Sequence, residues 1–397
     1  MPVRILCVMH LADGVGPPNH VRPWLAALTE QAVLEIVVPG EGTVAALYSQ
    51  SAQVTVLPYS PLMVPRGMGA AVRFLPRFAR EVRMFRAHVR RTRPDLVVTV
   101  TGTLPAALVG ARLAGAPTLV YAAEILRRNL RREPGLALLG RILVSVTRFF
   151  AVAIVASSRA VAAQYGYPRP GVFIVHPGVS TPASVADREG FRQRHRLANA
   201  SPCLAVVGNI SSGRGQDVAL RAVSLLVRDF QDVACVVAGG TLGRSVDEEY
   251  LASLRRLVSE LGVANRVRFT GFLDNVDDLY AAADIVVNPA RLPEGFGRVA
   301  LEALAAGRPV ISTRVGAVPE VLRDGEDALL VEPDSPEAIA SAVARVWRDE
   351  DLRRRLVHSG RARALEEFGE AQGTESFRDV VVDMLASSSG TRFGNAQ

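Results

Sequence analysis

The sequence predicts two tandem α/β units, each an open, mostly parallel sheet covered by helices on both faces. Three observations carry this expectation. Short apolar runs without polar alternation recur along the chain, as in strands buried on both faces. Segments of helical period separate them. The 397-residue length suits two domains of about 200 residues better than one.

The first half opens with Val3–Met9 (VRILCVM), an apolar run of strand length. It ends in the turn-forming stretch Asp13-Gly14-Val15-Gly16-Pro17. A helical pattern follows over His20–Thr29, then strand runs at Leu34–Val38 and Val54–Leu57. Val72–Arg91 is a long helix whose Leu75, Phe78, Val82, Phe85 and Val89 repeat at helical spacing, predicting a buried stripe opposed by an arginine face. Asp95–Val100 is a strand, Leu104–Ala114 a helix, and Thr118–Tyr121 and Ala151–Ala156 are extended. Gly135–Ser157 is the most apolar stretch. Arg141 and Arg148 interrupt it on one helical face, so it reads as an amphipathic helix entering a buried strand and not as a membrane span.

A polar stretch from His176-Pro177-Gly178 to about Ala200 marks the hinge, with the boundary drawn at residue 180. The pattern then restarts. Leu204–Val207, Ala234–Ala238, Val267–Phe269, Ile285–Val287, Pro309–Ser312 and Ala328–Val331 are strand runs. Helices fall at Gln216–Phe230 and from Pro336 to about Glu367. The expected layout is residues 1–180, 181–372, a helix at 373–386 packing back on the first unit, and a mobile tail at 387–397.

Composition narrows the chemistry. All 46 basic residues are arginine, so lysine Schiff bases and a Walker lysine are excluded. The three cysteines lie in separate apolar runs, which makes neither a disulfide framework nor a zinc site and suits a reducing compartment. Charge is asymmetric: residues 1–183 hold 20 Arg against 8 acidic residues, the remainder 26 against 31. A basic first half expects an anionic partner, either a membrane surface or a soluble acceptor. Arg127-Arg128 and Arg131-Arg132 before the apolar Leu136–Val146 favour the membrane form of that partner. Few aromatics interleave the arginines, so nucleic acid is not expected.

The densest constellation is Asn288–Val331. Glu294 lies in a Pro-Glu-Gly-Phe-Gly loop, and Glu302 follows eight positions later in a helix. Loop amides and a helix N-terminus suit anionic or hydroxyl oxygens, and carboxylates can grip sugar hydroxyls. The block runs Glu294-Gly295-Phe296-Gly297, Glu302-Ala303, Gly307, Pro309-Val310 and Gly316 to Glu320. It resembles the retaining GT-B glycosyltransferases of family four, whose signature is E-G-F-G-x-x-x-x-E-A-x-A-x-G-x-P-V followed by G-x-x-E.

The resemblance implies a GT-B fold of two Rossmann-like α/β domains facing across a cleft, with the nucleotide sugar, a UDP-sugar, on the C-terminal domain and a hydroxyl acceptor on the N-terminal one. It implies that Glu294, with the Phe296 and Gly297 amides, holds the donor sugar and that Glu302 binds the ribose. Gly295 and Val299 complete that set. Val207–Asp217 resembles the family's G-R-x-x-x-x-K-G element, in which two cations grip the diphosphate. Arg214 replaces the lysine and keeps the charge, whereas Asn209 stands where the other cation belongs. Gly240, Gly271 and Phe272 match positions near the donor phosphates and base. Gly14 and Gly16 match a glycine pair after the first strand.

The family's N-domain histidine is absent. Glu124 is the ionisable group of the matching Tyr121–Glu124 stretch and so the candidate for orienting acceptor or sugar, with His10 a weaker one. The resemblance implies no metal or other cofactor. Asp349-Glu350-Asp351 has Asp-x-Asp spacing but sits on an arginine-rich helix and reads as a solvated face. The expected location is the cytoplasm, peripheral on the inner face of the membrane. An epimerase or phosphorylase of the same fold, or a non-catalytic nucleotide-binding partner subunit, are the competing readings.

Overall fold

A computed structural model describes residues 2–13, 16–61, 68–126, 134–182 and 186–388. The chain divides into two units, Met1–Gly178 together with the chain from Glu370, and Val179–Gly369.

In the first unit the order is β1 (Val3–Val8), α1 (Pro17–Leu28), β2 (Ala32–Val38), α2 (Thr43–Tyr48), β3 (Gln53–Val56), α3 (Met68–Thr92), β4 (Leu96–Val100), α4 (Pro105–Leu113), β5 (Thr118–Ala122), α5 (Pro134–Phe150), β6 (Ala153–Ala156), α6 (Arg159–Gln164) and β7 (Val172–Ile174). The seven strands run in the order β3-β2-β1-β4-β5-β6-β7, every neighbouring pair parallel. Both faces are buried, which is why β1 lacks alternation. Ile5 and Cys7 join the core under α1, while Leu6 and Val8 join that under α3 and α4.

The second unit runs α7 (Arg188–Arg194), β8 (Cys203–Val207), α8 (Gln216–Leu226), β9 (Ala234–Ala238), α9 (Ser245–Glu260), β10 (Val267–Gly271), α10 (Asp277–Ala282), β11 (Ile285–Asn288), α11 (Arg298–Ala305), β12 (Val310–Thr313), α12 (Val318–Val321), β13 (Leu329–Val331), α13 (Pro336–Arg348) and α14 (Glu350–Glu366). Its six parallel strands lie in the order β10-β9-β8-β11-β12-β13. The chain then returns to the first unit as α15 (Glu370–Ser388), where Phe377 stacks on Trp24 of α1 at 4.7 Å between ring centroids.

The long basic helix departs from expectation. Only Phe85 and Val89 of its stripe are fully buried, and Leu75 is 69% exposed. Glu81 of the same helix is buried, with Arg77 3.5 Å away. The cluster Arg127 to Arg132 and the tail beyond Ser388 fall outside the described residues. No helix among the described residues is long and apolar enough to cross a membrane.

Candidate active site

In an open parallel sheet, ligands bind beyond the carboxyl ends of the strands where the winding reverses. In the second unit that point lies between β8 and β11. The loops after β8, β9 and β10 are bonded edge to edge there. Gly208 N–H donates to Ala238 O at 2.9 Å, Ile210 N–H to Gly240 O at 2.9 Å, and Gly239 N–H to Gly271 O at 2.8 Å. Gly239, at φ +144°, allows this approach, since a Cβ there would lie 2.0 Å from Gly208 O. Asn209, Gly240, Gly271 and the 62% exposed Phe272 therefore share one edge. The Asn209 carbonyl is held by Gln216 Nε2 at 3.0 Å.

Arg214 ends a single 3-10 turn, Ser212–Arg214, and its guanidinium is bonded to the Glu294 carboxylate. The other Glu294 oxygen accepts from Asn288 Nδ2 at 2.7 Å, and the same amide reaches Ser312 Oγ at 3.1 Å. Asn288 closes β11 and Ser312 lies in β12, so two strands aim one carboxylate. The backbone fixes it as well: Ala317 N–H donates to Glu294 O at 2.9 Å. Gly316, the glycine of the G-x-x-E element, has φ +58°, and a Cβ on it would meet Glu294 O at 2.2 Å. Arg291 ties this loop to α8 through a two-pronged bond to Asp217, both arms 2.6 Å, and Tyr250 donates to the same carboxylate at 2.5 Å.

Gly297, at φ +87° and without a side-chain cap, starts α11. Glu302 accepts from Arg298 Nε at 2.6 Å and from the buried Tyr280 hydroxyl at 3.1 Å. Burial and the Glu302 charge push the Tyr280 phenol well up, so it stays a donor. Phe296 is 4% exposed and packs edge-on to Phe368 at 5.8 Å, so its ring belongs to the core and not to the edge of the site. Val299 presents its carbonyl toward Tyr280 OH at 3.5 Å.

In the first unit Glu124 follows β5. One oxygen accepts from Gly102 N–H at 2.7 Å and the other from Ala123 N–H at 3.1 Å. Burial pushes its carboxyl up to about 7 despite those amides. The neighbouring Thr101, at the end of β4, holds φ 93°, a backbone that β-branched residues rarely adopt. Gly16 starts α1 at φ 69°, and Gly14 lies outside the described residues. Burial lowers His10 to about 4. His20, which the sequence does not single out, pairs with Tyr121 OH at 3.2 Å, and His176 Nδ1 is 2.9 Å from Ser157 O. Asp349 caps α14, accepting from Leu352 N–H at 2.9 Å.

Asn288, Tyr280 and Arg298, which bond Glu294 and Glu302, are likewise not singled out by the sequence. Asn288 had one usable signal, a polar residue closing an apolar strand immediately before the Pro-Glu-Gly loop.

Residues 187–363 match the model of the family Glycosyl transferases group 1. Over 182 residues the chain is 38% identical to a D-inositol 3-phosphate glycosyltransferase of Mycolicibacterium gilvum, covering 45% of this chain and 40% of that one. Over 231 residues it is 34% identical to the enzyme of the same name from Acidothermus cellulolyticus, covering 56% and 50%. The chain thus spans half or less of the length of these curated relatives. Among solved structures, Anabaena HepE in complex with UDP and glucose superposes with a TM-score of 0.80 at 20% identity, covering 95% of this chain and 99% of that one. Sucrose-phosphate synthase from Thermosynechococcus elongatus gives 0.79 at 20%, covering 97% and 100%. Residues 187–363 are thus similar to the group 1 glycosyltransferases, and the chain's two parallel-sheet units have the GT-B fold.

Proposed function

We propose that the protein transfers a sugar from a UDP-sugar to an acceptor hydroxyl with retention at the anomeric carbon. The observation that carries this is the gathering of Arg214, Glu294 and the start of α11 at the switch point of the second sheet, with Glu302 on the same helix. Glu302 takes the ribose diol, Arg214 and loop amides the diphosphate, and Glu294 with the Phe296 and Gly297 amides the sugar. The acceptor oxygen bonds to the anomeric carbon on the face that UDP leaves. The C–O bond to the diphosphate breaks, and a donor phosphate oxygen takes the acceptor proton. Arg214 offsets the leaving-group charge, so the reading needs no metal. The donor choice is supported by the UDP-glucose complex of HepE.

The acceptor is read as anionic or held at a membrane, from the arginine excess of the first half and the phosphorylated acceptor in the relatives' name. Helix α5 adds an exposed apolar ridge, Leu138, Ile142 and Phe149, flanked by the exposed Arg141 and Arg148. That combination suits the headgroup region of an anionic bilayer on its cytoplasmic side. The direct test incubates the protein with UDP-glucose, UDP-galactose or UDP-N-acetylglucosamine and an anionic lipid extract, following UDP release and the anomeric coupling of the product. A retained anomer is expected. No UDP release from any donor, or an inverted product, overturns the reading.

A further inference from the structure

The second unit holds a cavity of about 730 Å³ away from the switch point. Asp284 and Pro309, which line it, immediately precede β11 and β12, whereas Asn288 and Thr313 end those strands. Four residues of strand, about 13 Å, thus separate the cavity from the Glu294 edge. The facing wall is α14, whose Arg353, Val357, Arg361 and Leu365 recur every fourth residue on one side. The volume lies within the range of about 300–1,000 Å³ usual for small-molecule sites.

The cavity is cationic over an apolar floor. Among the described residues Arg308 has two long bonds, both 3.3 Å, to the carbonyls of Ala306 and Ala283. Asp284, beside it, is already engaged by Arg188 at 3.1 Å and Arg192 at 2.9 Å and accepts the Cys203 amide at 2.8 Å. Asp284 is thus already taken by two guanidiniums, and burial with the charge of Arg188 pushes Arg308 down from its usual range. Arg353 lies over the Trp347 ring at 5.4 Å and donates to Trp347 O at 3.1 Å, and among the described residues neither it nor Arg361 has an ion pair. Glu366 is the other carboxylate of the lining. Val357, Leu365 and Pro309 supply the apolar floor.

We propose that this cavity is a second ligand site, for a phosphate-bearing compound with an apolar body, its phosphate held by Arg308, Arg353 and Arg361. Arginine suits this because its fork matches phosphate oxygens in pairs. The compound is either a soluble phosphorylated metabolite or the headgroup region of an anionic lipid, which present the same chemistry to the cavity.

The test titrates hexyl phosphate, with hexanol as control, into the full chain by calorimetry. An Arg214→Gln background removes the phosphate grip of the donor edge. Binding with a dissociation constant on the order of 0.1–1 mM is expected for hexyl phosphate and not for hexanol. Arg353→Gln/Arg361→Gln on the solvent side of α14 should weaken it about tenfold or more, as should Arg308→Gln, with the double variant serving if Arg308→Gln unfolds. Loss of sedimentation with phosphatidylglycerol vesicles in the double variant assigns the lipid source, and unchanged sedimentation assigns the soluble one. Failure of hexyl phosphate to bind, or equal binding to wild type and the double variant, overturns the proposal.

Discussion

Arg214 and Glu294, the two groups read as gripping the donor's diphosphate and sugar, are bonded to each other. A diphosphate must therefore compete with a carboxylate for Arg214. Glu294→Gln should leave UDP affinity unchanged or raise it slightly, while lowering kcat about 10²–10³-fold through loss of the sugar contact. Arg214→Gln should weaken UDP by about ten- to a hundredfold. Calorimetry with UDP alongside turnover separates the two. Equal loss of UDP affinity in both variants would count against the division of roles.

The second prediction concerns Glu302, held by Arg298 and Tyr280. Glu302→Ala should weaken UDP about tenfold or more and abolish the preference for UDP over its 2′,3′-dideoxy analogue. Tyr280→Phe should cost a few-fold in affinity and keep that preference. A Glu302→Ala protein that still discriminates against the dideoxy analogue would remove the ribose assignment.

Gly316→Ala tests the backbone cradle of Glu294. The methyl group would collide with the Glu294 backbone in a left-handed conformation. Destabilisation of about 2 kcal/mol or more is expected, with turnover reduced far more than UDP affinity. Urea denaturation and turnover check both halves of this statement.

Glu124 gives a pH dependence of known sign. Its carboxyl rises from 4.5 to about 7 in the folded chain. The protonated form is thus the better folded one. Its contribution is fully present below pH 4.5 and is lost as pH rises through 7. Glu124→Gln should therefore become more stable relative to wild type on going from pH 5 to pH 8, by at most about 3 kcal/mol. Urea midpoints at the two pH values decide it, and a constant difference would show that the group is ionised throughout.

Phe149 of α5, at 81% exposure, should matter only at a surface. Phe149→Ser with Ile142→Ser should leave the melting temperature within a degree or two, since little packing is lost. It should reduce sedimentation with phosphatidylglycerol vesicles several-fold. Unaltered sedimentation would remove the membrane from the proposed function.

Much of the donor edge was legible because its chemistry is written locally. Glu294 through Glu302 is one loop and one helix, and the apolar runs that became β8, β9 and β11 place it. The partners were not legible, because they arrive through topology: Tyr280 comes from α10, and Asn288 acts by bridging two strands. The Arg214 to Glu294 bond spans 80 residues of sequence. Strand β7 was missed because three residues carry no periodicity. The stripe on α3 misled at Leu75, since helical spacing reports which residues share a face, not how far the neighbouring layer extends along it.

The stacking of Phe377 on Trp24 has a consequence for biosynthesis. The first unit emerges first from the ribosome, yet its α1 layer lacks its cover until α15 has been made. Val179–Gly369, continuous in sequence, can complete its own core while the earlier residues still wait. Order of synthesis and order of completion are therefore reversed, and a chain stopped before Glu370 would leave the aromatic face of α1 open to water.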